Sequence, residues 1–152
     1  MIIKEQIDAD YITAYKSKDT TAKAALSSIK AAITVAEKNN GTWVATNDEI
    51  IKIINKGIKQ REESIKMYET AGRQELVDKE RDEMEVLKKY MPAQMSYDEI
   101  SNELIIILQE IAQTVKNPQA LVGKTIGEFN KRHQGKADVG TVKEILAKLV
   151  EV

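Results

Sequence analysis

The amino-acid sequence predicts an all-α, multihelical fold divided into two helical subdomains. Apolar residues recur at helical spacing through most of the 152 residues, and the chain contains only two prolines. One of them, Pro92, has no amide hydrogen and pushes Met91 out of the α region, so a helix should end there. Ser96 can then cap a new helix. We therefore predict a four-helix N-terminal domain over residues 1–91, a hinge over 92–96 and a three-helix tail domain over 97–152.

The N-terminal domain carries four amphipathic patterns. We predict a first helix over 2–17, a second that is capped by Thr20 or Thr21 and ended by Asn39-Asn40-Gly41, a third from Asn47 through Tyr68 until Ala71-Gly72, and a fourth over 73–90. In the second helix the residues predicted to be buried are Leu26, Ile29, Ala32, Ile33 and Ala36. The alanines of this stripe would let a neighbouring helix come close. Trp43, in the loop before the third helix, is predicted to pack over the edge of the core.

Charged residues crowd the fourth helix between its apolar positions, namely Glu75, Asp78, Lys79, Arg81, Asp82, Glu83 and Lys88. Such a run is typical of a water-facing surface with weak ion pairs. We therefore expect no metal site and no acid–base chemistry on this helix.

Three further helices follow the predicted hinge. The Ser96 cap opens a fifth helix whose apolar positions are Ile100, Leu104, Ile107, Leu108, Ile111 and Val115. Asn117 followed by Pro118 indicates a capped helix with proline at its first position, which should end near His133. Gly135 is expected to close that helix in the left-handed region, and Asp138 to start the seventh.

The sequence offers no catalytic constellation. It contains no cysteine and a single histidine, His133, so it has no thiolate nucleophile and no histidine–cysteine metal set. Gly123-Lys124-Thr125 resembles the end of a phosphate-binding loop, but Pro118 stands where that loop needs a glycine. We expect no catalytic residues, no metal and no cofactor. No apolar run is long enough for a membrane span, and the N-terminus turns acidic too early for a signal peptide, so a cytoplasmic location is expected.

Positive charge is concentrated in the last third of the chain. The formal net charge is only −1, yet seven bases stand against three acids between Lys116 and Lys148. In the sixth helix, Lys124 and Lys131 lie nearly opposite the apolar face, and Gly123 and Gly127 lie between these faces. Two glycines four residues apart suggest that something approaches the backbone closely. Either another helix of the same domain or the backbone of a partner could do so.

A set of residues spread along the chain closely resembles the GatB/YqeY family, and in particular its stand-alone YqeY-like members. These residues are Gln60-Arg61, Ser64, Tyr68, Ala71-Gly72-Arg73, Glu75-Leu76, Glu80, Glu83, Leu87, Tyr90-Met91-Pro92, Gln94, Gly123-Lys124, Gly127, Gly135-Lys136-Ala137-Asp138 and Val142. The resemblance implies an all-helical fold with a small C-terminal tail domain. That tail resembles the end of the GatB subunit of the glutamine-dependent aspartyl/glutamyl-tRNA amidotransferase, where the domain contacts tRNA. The ATP-binding part of the GatB subunit is absent from this chain.

The resemblance gives a set of candidate RNA-binding residues, to which the charge argument adds Lys131: Gly123, Lys124, Gly127, Lys131, Gly135, Lys136 and Asp138. Relatives often carry an arginine in place of Ser27 and an acid near Ala36, so a function located on the second helix is not implied.

Three functional hypotheses remain open. The first is a non-catalytic accessory module whose tail binds tRNA or structured RNA by shape and phosphate contacts. The second is an adaptor that docks a glutamine-dependent amidotransferase, an aminoacyl-tRNA synthetase assembly or another translation enzyme. Its candidate docking residues are Arg61, Tyr68, Arg73, Tyr90 and Gln94. The third is an enzyme of the carbon–nitrogen ligase class, for which the chain shows no nucleophile, metal set or nucleotide loop.

Overall fold

The computed structural model describes residues 2–41 and 44–150, and over these ranges the secondary structure consists of helices without strands. The predicted all-α fold is therefore confirmed. The helices are α1 (Ile3–Lys16), α2 (Thr20–Asn39), α3 (Asn47–Thr70), α4 (Gln74–Lys88), α5 (Tyr97–Ala112), α6 (Pro118–Arg132) and α7 (Val139–Val150). Trp43 lies outside the described residues. Within those ranges every helix is too short or too polar to cross a lipid bilayer.

The chain divides into two compact units, an N-terminal unit over Met1–Met91 and a tail unit over Pro92–Val152. The N-terminal unit is built around a core of aliphatic side chains from α1 to α4, including Ile7, Leu26, Ile29, Ile50, Ile54, Val77 and Leu87. Leu26 and Ile29 of this core belong to the stripe predicted for the second helix. Helical spacing places these side chains on one face of each helix, so burying that face removes apolar surface from water.

Side-chain caps fix where most of the helices begin. Thr46 and Glu49 form a capping box at the start of α3, and Ser96 forms another with Glu99 at the start of α5. Asn117 accepts hydrogen bonds from two amides of α6, as predicted. The cap of α2 is Asp19, which accepts a hydrogen bond from the Ala22 amide, so the prediction that Thr20 or Thr21 caps this helix was wrong.

One part of the predicted α2 stripe is not buried. Leu26, Ile29 and Ile33 belong to the core, but Ala32 is exposed and Ala36 is half-buried. Alanine is compatible with either environment, and the groove between α2 and α3 remains open beside these two residues. The prediction that both alanines lie in the core was therefore wrong.

The charged run of α4 is also not uniformly exposed. The Glu83 side chain is buried, with one carboxylate oxygen 3.6 Å from Arg61 Nε of α3. Glu80 lies 4.0 Å from the same nitrogen, and Arg61 Nη1 also donates to the Gly57 carbonyl. A cation supplied by α3 allows the carboxylate to be buried. The prediction of a fully water-facing run was wrong at Glu83.

The tail unit has its own core, formed by Ile100, Leu104, Ile107, Phe129, Val142, Ile145 and Leu146 from α5, α6 and α7. Both α6 and α7 pack against α5. His133, at the end of α6, contacts the Phe129 ring at a centroid distance of 5.0 Å and is hydrogen-bonded to Glu103 of α5. His133 therefore packs at the end of α6.

Candidate nucleic-acid interface

Four of the candidate RNA-binding residues share one solvent-exposed face of α6. Gly123, Lys124, Gly127 and Lys131 are all exposed. They recur at the three- and four-residue spacing that aligns side chains on a helix. The buried residues Thr125 and Phe129 lie on the opposite face and pack into the tail unit. We refer to these four exposed residues as the α6 glycine–lysine face.

The two glycines of this face are not required by packing against residues 2–41 or 44–150. A β-carbon built on Gly123 or on Gly127 would have no heavy atom within 4 Å among the described residues, apart from its own helix and chain neighbours. Of the two explanations left open by the sequence, close packing of another helix of the same domain therefore finds no support. The open backbone leaves room for a partner to approach the helix axis more closely than it could over side chains.

Three lysines in and beside this face carry positive charge that is not neutralised. Lys124, Lys131 and Lys136 make no ion pair with any described side chain. Arg132 differs, because its guanidinium contacts Glu110 of α5 at 2.6 Å and Glu128 at 2.9 Å. The hydrogen bond to Glu110, followed by that to Glu128, raises the pKa of Arg132.

The pairing of Arg132 was missed by counting charges along the sequence. The spacing of Glu128 and Arg132, four residues apart in a helix, was the available signal. Fewer cationic side chains are therefore available to bind an anionic ligand than the excess of bases over acids in the sequence indicates.

The turn after α6 brings candidates from both predicted sets together. Gly135 adopts φ +74°, as expected for a residue that reverses the chain in the left-handed region. Its carbonyl accepts a hydrogen bond of 2.8 Å from Gln94 Nε2, and the Lys136 carbonyl accepts one of 2.8 Å from the Met95 amide. Gln94 therefore supports the turn that presents Lys136.

Asp138 acts as the cap of α7. Its carboxylate accepts a hydrogen bond of 3.1 Å from the Thr141 amide. A phosphate at this helix terminus would compete with the carboxylate for the same amide and would be repelled by its charge. Asp138 is thus placed to shape the turn rather than to bind an anion.

We compared the sequence with models of known protein families. Residues 4–150 match the family model described as Yqey-like protein. The chain belongs to the YqeY-like family. The predicted resemblance is thereby confirmed for the YqeY-like group. Among curated proteins, no sequence matches significantly.

In this YqeY-like protein, the candidate docking residues of the N-terminal unit have partners of their own. The Tyr90 hydroxyl donates a short hydrogen bond to Asp10, and the Tyr90 ring packs on the core. Burial and then the hydrogen bond to Asp10 raise the pKa of Tyr90. Tyr68 also packs against the core, whereas Arg73 is exposed and contacts Glu75 at 2.8 Å.

Arg61 is half-buried, with the carboxylates of Glu80 and Glu83 beside its Nε atom, as described above. Arg61, Tyr68 and Tyr90 are thus integrated into the helix packing, and Arg73 is the exposed docking candidate of this unit. A docking role for these residues stays a prediction.

Acidic and histidine side chains do not converge into a metal site anywhere in ranges 2–41 and 44–150 of this family member. Thr125, beside Lys124, is fully buried, and its hydroxyl oxygen has no hydrogen-bond partner in that part of the chain. The hydroxyl lies away from the exposed lysines, so the two do not form a common site.

Proposed function

We propose that the tail unit of this YqeY-like protein is a non-catalytic module that binds structured RNA, with tRNA as its ligand, through shape and phosphate contacts. The observation that carries the proposal is the α6 glycine–lysine face, where exposed lysines flank an open stretch of helix backbone. Lysine ammonium groups neutralise phosphates without reading bases.

Shape recognition is favoured over base stacking because of where the aromatic side chains lie. Phe129 is fully buried in the tail core. Tyr97 is half-exposed, and the Lys148 ammonium lies 6.0 Å from the centroid of its ring. Single-stranded RNA binders usually offer several exposed rings to successive bases. The tail unit instead offers a helix surface with small residues and cations, which suits the backbone of a folded RNA.

The choice of tRNA among folded RNAs rests on the likeness of the tail to the end of the GatB subunit of the amidotransferase. The adaptor alternative has less support, because Arg61 and Tyr90 are integrated into the N-terminal core. The adaptor alternative would be supported by a stable complex of this protein with an amidotransferase or a synthetase whose formation does not depend on the α6 lysines.

The experiment is a titration of the full chain with bulk tRNA from 50 to 200 mM salt, beside the variant Lys124→Glu, Lys131→Glu and Lys136→Glu. Three phosphate contacts contribute a slope of about −2.7 to log K against log salt, or roughly a 40-fold loss of affinity over this range. We expect the variant to bind more weakly and to lose this part of the slope.

A charge-matched control is the variant Lys16→Glu, Lys66→Glu and Lys79→Glu, which changes three exposed lysines of the N-terminal unit. It undergoes the same change in net charge without altering the α6 face. Equal loss of binding in both variants would show that net charge alone drives association. Absence of binding by the wild type at 50 mM salt would refute the proposal.

A further inference from the structure

The N-terminal unit contains an open groove between α2 and α3 that the proposed RNA-binding function does not use. Its volume is about 450 Å³. The lining is largely apolar, with a smaller polar share: Ser28, Ile29, Ala31, Ala32, Val35, Ala36, Asn39, Ile53, Lys56, Gly57 and Gln60. We refer to this feature as the α2–α3 groove.

The α2–α3 groove exposes apolar side chains of α2. Val35 is 56% exposed, and Ala31 and Ala32 are also exposed. Four of the seven residues that line the groove on α2 are small, namely Ser28, Ala31, Ala32 and Ala36. Small residues allow a further helix to approach closely, and an apolar groove of this kind fits the apolar stripe of an amphipathic helix.

Lysines stand in and beside the α2–α3 groove. Lys56 lines the groove, Lys52 lies one turn before it on α3, and Lys38 adjoins Asn39 on α2. None of these three lysines makes an ion pair with a side chain in the described ranges.

The acids near the α2–α3 groove do not neutralise these lysines. The carboxylate of Glu37 is held by Lys4 at 3.0 Å and by the Ala45 amide at 2.7 Å. These two hydrogen bonds lower the pKa of Glu37, so it is already ionised and paired. Glu63 follows Gln60 by one turn on α3, and Glu49, whose carboxylate accepts a hydrogen bond from the Thr46 amide, precedes Lys52 by one turn. Among the residues that line the groove, the charged one is Lys56, so the charge inside the groove is positive.

We propose that the α2–α3 groove docks an amphipathic helix of a partner protein whose apolar stripe is flanked by carboxylates. The exposed methyl groups of Ala32 and Val35 supply the contact area, and Lys38, Lys52 and Lys56 select the acidic flanks. A nucleic-acid backbone would contact the lysines but would leave the apolar side chains of the groove exposed to water. The inference does not depend on RNA binding by the tail unit.

The test is a displayed library of 16-residue amphipathic helices whose flanking positions are drawn equally from Glu and Lys. It is selected on the immobilised full chain. We expect Glu to be enriched at the flanks. The best Glu peptide and its Lys-for-Glu counterpart are then titrated with ¹⁵N-labelled full chain. The Glu peptide should shift the amides of Ala32, Val35 and Lys56 and bind at least about tenfold more tightly.

Two pairs of variants distinguish specific binding at the α2–α3 groove from nonspecific binding elsewhere on the protein. Val35→Glu should abolish binding of the Glu peptide, whereas Met67→Glu, at an exposed methionine elsewhere on α3, should leave it unchanged. Changing Lys38, Lys52 and Lys56 to Glu should invert the preference between the peptides. The matched change of Lys16, Lys66 and Lys79 to Glu should leave the preference for the Glu peptide unchanged. Amide dispersion in the ¹⁵N spectra shows that each variant is folded.

Several outcomes would overturn the proposal. The selection would overturn it if peptides were enriched no more on the wild type than on the Val35→Glu variant, or if Lys rather than Glu were enriched at the flanking positions. The titration would overturn it if both peptides bound equally well, or if the shifted amides lay outside the groove. A second copy of the chain is the competing occupant, because α5 exposes Ile106 and carries acids without bases. Concentration-dependent self-association that Val35→Glu abolishes in sedimentation would therefore also overturn docking of a different protein.

Discussion

Replacing Gly123 and Gly127 by alanine tests whether these two glycines serve the binding of a partner rather than the stability of α6. Both glycines lie inside α6, and an added β-carbon at either position meets no described neighbour within 4 Å. Alanine is favoured over glycine in a helix interior by about 1 kcal/mol. The double variant should therefore stabilise the tail unit by up to about 2 kcal/mol, since no steric cost offsets this preference.

Native-state hydrogen exchange measures this gain in the tail unit itself. The amides of Phe129 and Leu146, at the centre of the tail core, should exchange by opening of the whole unit. A gain of about 1 kcal/mol slows such exchange roughly fivefold, so the double variant should slow it up to about 25-fold. The same variant should bind tRNA more weakly, because two methyl groups now stand where the partner backbone would approach.

The matched control is Gly57→Ala in α3, where an added β-carbon would lie 3.1 Å from Ile29 Cδ1 and 3.5 Å from Leu87 Cδ1. Crowding of these core methyl groups should offset much of the helix preference, so Gly57→Ala should gain less stability than Gly123→Ala. The reasoning would be refuted if the α6 double variant destabilised the tail unit. It would also be refuted if that variant became more stable and bound tRNA as tightly as the wild type.

Two further predictions concern docking candidates that the structure places in the helix packing. Tyr90→Phe removes the hydrogen bond to Asp10 and should cost about 1.5 kcal/mol in urea unfolding at neutral pH. Because folding raises the pKa of Tyr90, its stabilising effect is complete below about pH 10 and is lost as the pH rises through the folded-state value. The wild type should thus lose stability above pH 10 more steeply than Tyr90→Phe, and parallel profiles would contradict this. Arg61→Ala leaves the buried carboxylate of Glu83 unpaired and should cost about 3 kcal/mol, against at most about 0.5 kcal/mol for exposed Arg81→Ala. A loss at Arg61 as small as that at Arg81 would show that Arg61 is available to a partner.

The positions of the helices could be predicted from the sequence because their ends are encoded locally. The Ser96 cap, the Asn117-Pro118 pair and the Asp138 cap each place a side-chain acceptor next to the amides of a new helix. Gly72 and Gly135 adopt the positive φ angles that end or reverse the chain. Such signals act within four residues and need no knowledge of tertiary contacts.

Burial was predicted less well where it depends on which helices approach each other. Ala32 fits the periodicity of a buried stripe, but a methyl group carries too little apolar surface to decide between core and solvent. Glu83 looked like a member of an exposed charged run, because the sequence of α4 does not show that Arg61 of α3 lies opposite. Both errors arise from pairings between helices that local periodicity does not specify.

The α6 glycine–lysine face and the α2–α3 groove show why positive charge alone does not identify a ligand. Both carry lysines without ion pairs in the described part of the chain, and they differ in what lies between the lysines. On α6 this is open backbone at Gly123 and Gly127, which suits a rigid polyanion that needs close approach and little apolar contact. Between α2 and α3 it is exposed methyl groups, which water solvates poorly and which a helix stripe can cover. If this distinction is correct, tRNA and the acidic peptide should each lose binding only when their own set of lysines is reversed.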